Sequence, residues 1–138
     1  MNVYADNAAT TAVSKTAVEA MVPCFQEIYG NPSSLHSPGQ RAAEKLAEAR
    51  EIFARNLNAE PREITFTSGG SEADNQALRS AAALGARKGK KHIISTKFEH
   101  HAILHTLQAL EKEGFEVTLL DIPPDGVVTA EQVKAALR

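Results

Sequence analysis

Short apolar runs alternate along the chain with stretches in which apolar residues recur every three or four positions. The clearest such stretch carries Ala42, Leu46, Ala49, Phe53 and Leu57, with Glu44, Lys45, Glu48, Arg50 and Glu51 mostly on the opposite side. It predicts a helix capped by Ser37, with Pro38 at its first position. An earlier helix is expected from a Ser14 cap to about Gln26, with Pro23 bending it or marking its last turn. Three runs read as β: Ile64–Thr67, His92–Ser95 and Phe115–Leu120. Met1–Thr11 reads as a short strand ending in a turn at Asp6-Asn7. Between the β runs, Glu72–Leu84 is helical with Ala73, Ala77, Leu78 and Ala81 on one side. His101–Lys112 is helical with Ile103, Leu104, Leu107 and Leu110 facing inward, and Gly114 stops it. Thr129–Arg138 starts a helix that the chain end cuts off, which reads as a break in a longer fold.

Strand, helix, strand, helix, strand, helix at this spacing predicts α/β units on a mainly parallel sheet. Ligands in such folds bind outside the carboxyl ends of the strands. Three segments therefore come forward: Ser68–Ser71, Thr96–His101 and Asp121–Asp125.

Composition narrows the function classes. The chain has 138 residues, 43% hydrophobic and 23% charged, enough for a real core. With 15 Lys+Arg against 17 Asp+Glu, the formal net charge is -2 and no basic footprint for nucleic acid exists. No polybasic block addresses a membrane, and no apolar run approaches the roughly 18 residues of a spanning helix. Asp6 near the start and the lack of a basic leading region argue against a signal peptide. One cysteine, Cys24, allows no internal disulfide, so a reducing, cytoplasmic setting is expected.

Thr67-Ser68-Gly69-Gly70-Ser71-Glu72 is the first chemical candidate. Glycines admit close backbone approach, a helix N-terminus offers free N–H groups, and two serines add hydroxyls, so the segment suits a phosphate. It lacks the Gly-Lys-Ser/Thr of a Walker loop and the three glycines of a dinucleotide turn. The competing reading is a plain strand-to-helix turn whose dipole Glu72 and Asp74 already complement. Glu99-His100-His101 with His105 is the second candidate. His101 and His105, four apart, share a helix face, and Glu99 could join them on zinc, but a third firm ligand is missing and no metal is expected. A histidine capping the helix beside solvated neighbours competes with an imidazole that stacks on a flat cofactor or moves protons. Cys24 sits in the apolar segment Met21–Phe25 with no basic neighbour in sequence and reads as a packing residue. His36 lies in a Pro/Ser/Gly loop, where solvent exposure competes with a functional role.

Taken together, Asp6-Asn7-Ala8-Ala9-Thr10-Thr11, Gly30-Asn31-Pro32-Ser33-Ser34 with His36, Phe66–Asn75, Glu99-His100 and Glu113–Val117 make the chain resemble the N-terminal part of a cysteine desulfurase of the iron–sulfur-cluster and nitrogen-fixation type. Those enzymes belong to the class V aminotransferases. The resemblance implies a fold type I pyridoxal-phosphate enzyme: three layers, a mainly parallel sheet with helices on both faces. It implies that residues 1–14 belong to the small domain and active-site mouth, and that residues 15–138 are an incomplete N-terminal part of the large domain. The cofactor implied is pyridoxal 5'-phosphate, with Gly70 and Ser71 at its phosphate and His100 stacked on its ring as a catalytic acid–base candidate. Ser71 is a mild departure from the threonine common at that position and keeps the hydroxyl. Asn7, Thr10, Asn31 and His36 are implied as parts of the substrate channel.

The parent reaction implied converts L-cysteine to L-alanine and leaves a persulfide on an enzyme cysteine. The implied partners are iron–sulfur scaffold or sulfur-acceptor proteins and, at full length, a second copy as a homodimer. The family's Schiff-base lysine, pyridine-facing aspartate, nucleophilic cysteine and substrate-binding arginine have no match here. Neither Cys24 nor Lys97 falls at those positions, so the chain alone is expected to be inactive. Two rivals remain: another pyridoxal-phosphate enzyme of this family, and a non-catalytic α/β fragment acting as a structural module.

Overall fold

The computed structural model describes residues 2–138. The chain divides into two compact units, Met1–Thr65 and Phe66–Arg138. This division by compactness differs from the 1–14 and 15–138 assignment to two domains, which concerns a whole enzyme.

The first unit is helical. Helix α1 spans Lys15–Gln26, and the Ser14 hydroxyl accepts the Ala17 N–H at 3.2 Å as its cap. Pro23 falls in the last turn, and its carbonyl takes both the Glu27 and Ile28 N–H groups at 2.9 Å, which closes the helix. Helix α2 spans Ser37–Leu57. Its cap is His36, not Ser37: the imidazole Nδ1 accepts the Gly39 N–H at 3.3 Å, and Ser37 is already helical. Loop 30–39 folds tightly onto this first turn. A Cβ at Gly39 would stand 2.4 Å from the Ser34 carbonyl oxygen, and one at Gly30 would stand 2.2 Å from that of Pro38. Asn58 ends α2 in the left-handed conformation with φ 52°. Of the apolar stripe read along α2, only Ala42 is buried. Leu46, Phe53 and Leu57 are exposed, and the other buried positions are Gly39 and Ala54.

The expected strands at 1–11 and 64–67 do not form among the described residues; Met1 lies outside them. Residues 7–9 make a turn, with the Ala9 and Thr10 N–H groups on the Asp6 carbonyl. At Ile64 the backbone is used otherwise: its N–H bonds the Pro61 carbonyl of a 3₁₀ turn (Pro61–Glu63), and its carbonyl accepts from the Arg50 guanidinium. A strand-forming composition needs a neighbour to pair with, and here the backbone groups of Ile64 are used elsewhere.

The second unit is α/β. Helix α3 (Gly70–Ala86), strand β1 (His92–Thr96), helix α4 (His101–Lys112), strand β2 (Glu116–Leu120) and helix α5 (Ala130–Ala136) follow in order. The strands pair in parallel, His92 opposite Glu116 through Thr96 opposite Leu120, so α4 is the crossover between them. The His92 ring and the Thr118 hydroxyl, two register positions apart on the two strands, lie 2.8 Å apart. Both carboxyl ends share one edge, where Lys97 reaches the Asp121 carboxylate. Helix α4 matches its predicted bounds. Leu107 and Leu110 are 2% exposed and form its core, and Gly114, at φ 88°, turns the chain into β2. Helix α5 ends at Ala136, with Leu137 extended, so it closes before the chain does.

Helix α3 turns a different side inward than its alanines suggested. Asp74, Asn75, Leu78, Ala82, Gly85 and Ala86 are the less exposed positions, so Leu78 lies inward as expected while Ala73, Ala77 and Ala81 face out. Helix α3 packs on α4, with Asn75 bonded to Ala102 and Thr106 across the contact. No helix among the described residues is long and apolar enough to cross a membrane.

Candidate active site in the second unit

Two helix starts define the site. Gly69, extended at φ 163°, leads into α3, whose first intrahelical bond is from the Ala73 N–H to the Gly69 carbonyl at 3.1 Å. The N–H groups of Gly70, Ser71 and Glu72 precede that bond and form the positive end of the helix dipole. An added Cβ at Gly69 or Gly70 would meet nothing within 4 Å, so the space in front of this turn is open.

Ser68 does not join that donor set. Its N–H and its hydroxyl both donate to the Glu72 carboxylate at 2.6 Å. These bonds, the hydroxyl first and the N–H second, hold the Glu72 carboxyl below its ordinary pKa. The loop is thus braced by its own helix, and Ser71 is left as the hydroxyl in the open space.

His100 caps α4, its Nδ1 accepting the Ala102 N–H at 3.1 Å. That bond requires the proton of the neutral ring to sit on Nε2. The capping reading and the cofactor-facing reading are therefore compatible: one nitrogen fixes the ring, and the other is available. Ser71 and His100 line one open cleft of about 360 Å³, together with Asn75, Arg79, His101 and His105.

His101, expected to point away, lines this cleft as well, its ring stacked on His105 with centroids 5.3 Å apart and planes 16° off parallel. The stacking follows from their spacing of four on one face. Arg79 is tied to Glu113 at 3.1 Å. Glu99 turns toward the strand end, accepting from the Thr96 hydroxyl at 2.7 Å, rather than toward the histidine pair. Among the described residues no three His, Cys, Asp or Glu side chains are placed to hold a metal ion.

The remaining candidates belong to the first unit. Thr10 shares a 2.6 Å hydrogen bond with the Tyr4 hydroxyl, and the Asn7 carbonyl accepts from the Thr11 hydroxyl at 3.4 Å. Asn31 Oδ1 accepts the Ser33 N–H at 2.9 Å, and its carbonyl accepts the Ser34 N–H at 2.9 Å, so it shapes the loop that His36 closes. Cys24 is half-buried, its thiol 3.8 Å from the Ala20 carbonyl. It lines an apolar groove of about 660 Å³ between α1 and α2 with Met21, Phe25 and Ala49. Lys45 also lines this groove, a basic neighbour that sequence spacing hid, and it is bonded to Glu48 at 2.8 Å.

Asn75 and Thr106 were not singled out by their chemistry. Asn75 spans α3 and α4, and Thr106, at 3% exposure, is the one buried polar residue among those described. The available signal was spacing: Asn75 sits three before Leu78 and seven before Ala82 on the inward side.

The donor set fits a small phosphorylated ring: a helix N-terminus with a serine hydroxyl for the anion, and an imidazole across the same cleft. Comparison with known proteins gives the class. The aminotransferase class-V family profile matches residues 3–138, and the chain belongs to that family. Family members are pyridoxal-phosphate enzymes.

Among individual proteins, the chain is 52% identical over 135 residues to a cysteine desulfurase IscS of Clostridium botulinum (strain Kyoto / Type A2), covering 98% of this chain and 34% of the relative. The structure of a NifS-like protein superposes with a TM-score of 0.92 at 38% identity, covering 99% of this chain and 37% of that one. SspA, solved in complex with cysteine, superposes with a TM-score of 0.87 at 39% identity, covering 95% of this chain and 38% of that one. The chain spans about a third of the length of the curated relatives it matches.

Proposed function

We propose that this chain supplies the phosphate-binding and ring-stacking side of a pyridoxal-phosphate-dependent cysteine desulfurase. The observation that carries the reading is the shared cleft of Ser71 and His100. When bound, the cofactor supplies an electron sink for chemistry at the substrate α-carbon. The first-turn N–H groups of α3 and the Ser71 hydroxyl bind the phosphate. His100, fixed through Nδ1, stacks its face on the ring and presents Nε2 to exchange a proton with the substrate. Asn7, Thr10, Asn31 and His36 contribute to the substrate channel, with residues 1–14 in the small domain and 15–138 in the large one.

The substrate is L-cysteine, converted to L-alanine with its sulfur passed to a cysteine thiol of the complete enzyme. The groups that form and break the covalent bonds are not among those matched in this chain. The complete enzyme is a cytoplasmic homodimer that hands sulfur to acceptor or iron–sulfur scaffold proteins.

The test uses the complete pyridoxal-phosphate-loaded protein with L-cysteine and excess dithiothreitol, whose two thiols supply the two electrons that release the persulfide's outer sulfur as sulfide. Sulfide and alanine are expected in equal amounts. Ser71→Ala should weaken cofactor binding roughly 10- to 100-fold, the worth of one hydrogen bond to a charged group. Wild-type protein that binds the cofactor but releases no sulfide from L-cysteine contradicts the reading.

A further inference from the structure

The inward side of α3 carries one residue that packing alone does not ask for. Asn75 Nδ2 donates to the Ser71 carbonyl at 2.8 Å and to the Ala102 carbonyl at 3.4 Å. Its Oδ1 accepts from the Thr106 hydroxyl at 2.6 Å. The same hydroxyl stands 2.8 Å from the Ala102 carbonyl, so its single proton is shared between two acceptors. Two carbonyls around one end of the amide and a hydroxyl at the other leave the orientation of the group without ambiguity. Every buried side-chain polar atom among the described residues is satisfied.

An alanine or leucine at position 75 would pack α3 on α4 without burying a dipole. What the polar group adds is register. From Ser71 the connection runs through its carbonyl to Asn75 and on to the Ala102 carbonyl. The N–H of that same Ala102 is held by His100 Nδ1. Sliding or rotating one helix against the other breaks at least one of these bonds, and apolar contacts penalise such a slip far less.

We propose that Asn75, with Thr106, is a positioning residue that sets the separation and tilt between Ser71 and the His100 ring. This rests on the proposed function, in which those two residues hold opposite parts of one cofactor. Neither clamp residue need touch the reacting atoms. Its effect is geometric, and a displacement of about 1 Å at a reacting centre can cost as much as 10²-fold in rate.

The experiment compares Asn75→Ala, Thr106→Val and Thr106→Ser in the complete protein loaded with pyridoxal 5'-phosphate. Thr106→Val keeps shape and removes the donor, and Thr106→Ser keeps the donor. It therefore remains informative if Asn75→Ala fails to fold. For Thr106→Val, kcat for sulfide release should fall roughly tenfold, with KM for L-cysteine and phosphate-dependent cofactor affinity changed less than about threefold. The visible circular dichroism of the bound cofactor should change, and Thr106→Ser should restore both.

A readout without cofactor accompanies these: the imidazole nitrogen signals of His100 by NMR. In wild type they should report a single Nε2–H tautomer with Nδ1 bonded, and Thr106→Val should broaden or average them. Equal behaviour of Thr106→Val and Thr106→Ser, or a lowered melting temperature with unchanged dichroism and His100 signals, overturns the positioning role and leaves the proposed function standing. A wild type that binds no pyridoxal phosphate overturns the proposed function, whatever the His100 signals show.

Discussion

The two units of this chain solve burial in opposite ways. In Met1–Thr65 the buried positions are small, namely Gly39, Ala42 and Ala54, while Phe25 is 73% exposed and Leu57 66%. In Phe66–Arg138 the buried positions are Leu107, Leu110 and Ala82 around one polar residue, Thr106. One unit keeps its large apolar side chains on the surface of a groove. The other closes a core and places a polar-lined cleft beside it. The fully buried large side chains and the cleft of Ser71 and His100 therefore lie together in the second unit.

That contrast is easiest to break by truncation. Leu107→Ala should lower the unfolding free energy by about 2–5 kcal/mol, read by denaturant unfolding. Cys24→Ala, at the half-buried wall of the groove, should cost roughly 1 kcal/mol and leave sulfide release by the complete protein near normal. Cofactor binding kept while turnover collapses in that variant would make the thiol a reacting group. Phe25→Ala should change stability by no more than about 0.5 kcal/mol. A loss there as large as at Leu107 would show that the groove is closed in solution and the contrast is wrong.

The smallest effect expected is a pH dependence at the turn before α3. The Glu72 carboxyl titrates below its ordinary value of 4.5, because Ser68 bonds its ionised form. A depressed folded value means the brace is fully present above the ordinary value and is lost as pH falls through the folded one. The Ser68 amide shift in NMR should therefore hold steady from neutral pH down to the ordinary carboxylate range and move only below it. Glu72→Gln should abolish that step. A step near neutrality would contradict the assignment.

Most of the second unit was legible because its signals were directional. Leu107 and Leu110 fall on one side of a helix bounded by Lys112 and Gly114, and β1 and β2 are apolar runs with a helix of the right length between them. Helix α3 was legible as a helix but not in its orientation. Alanines at 73, 77, 81, 82 and 83 lie all around it and carry no direction, and the residue that does set direction, Asn75, is polar. The run Ile64–Thr67 shows a second limit. Its composition suits a strand, yet pairing is a property of neighbours, and here the Ile64 backbone bonds Pro61 and Arg50 instead.

Of the residues that line the cleft, Ser71 and His100 lie in segments brought forward by their place after apolar runs, although the run before Ser71 forms no strand. The cap at His36 could not, because Ser37 offers the commoner capping chemistry next to it. His101 shows how a helix start defeats spacing: one residue beyond the cap, it lines the same cleft as His100 and leans on His105.

That pair gives the most direct test of the central claim, that Ser71 and His100 hold one cofactor from two sides. His100→Ala and His101→Ala would be prepared in the complete protein with pyridoxal 5'-phosphate. Bound cofactor, its visible spectrum and sulfide release from L-cysteine would be measured side by side. Loss of the stacked ring should remove on the order of 1 kcal/mol of binding, and loss of proton transfer roughly 10²–10⁴ in rate. His100→Ala should therefore retain most of the cofactor with a shifted spectrum and release sulfide at least tenfold more slowly. His101→Ala, whose ring packs on His105, should stay close to wild type in all three measurements. Equal effects, or a larger effect at His101, would contradict the account.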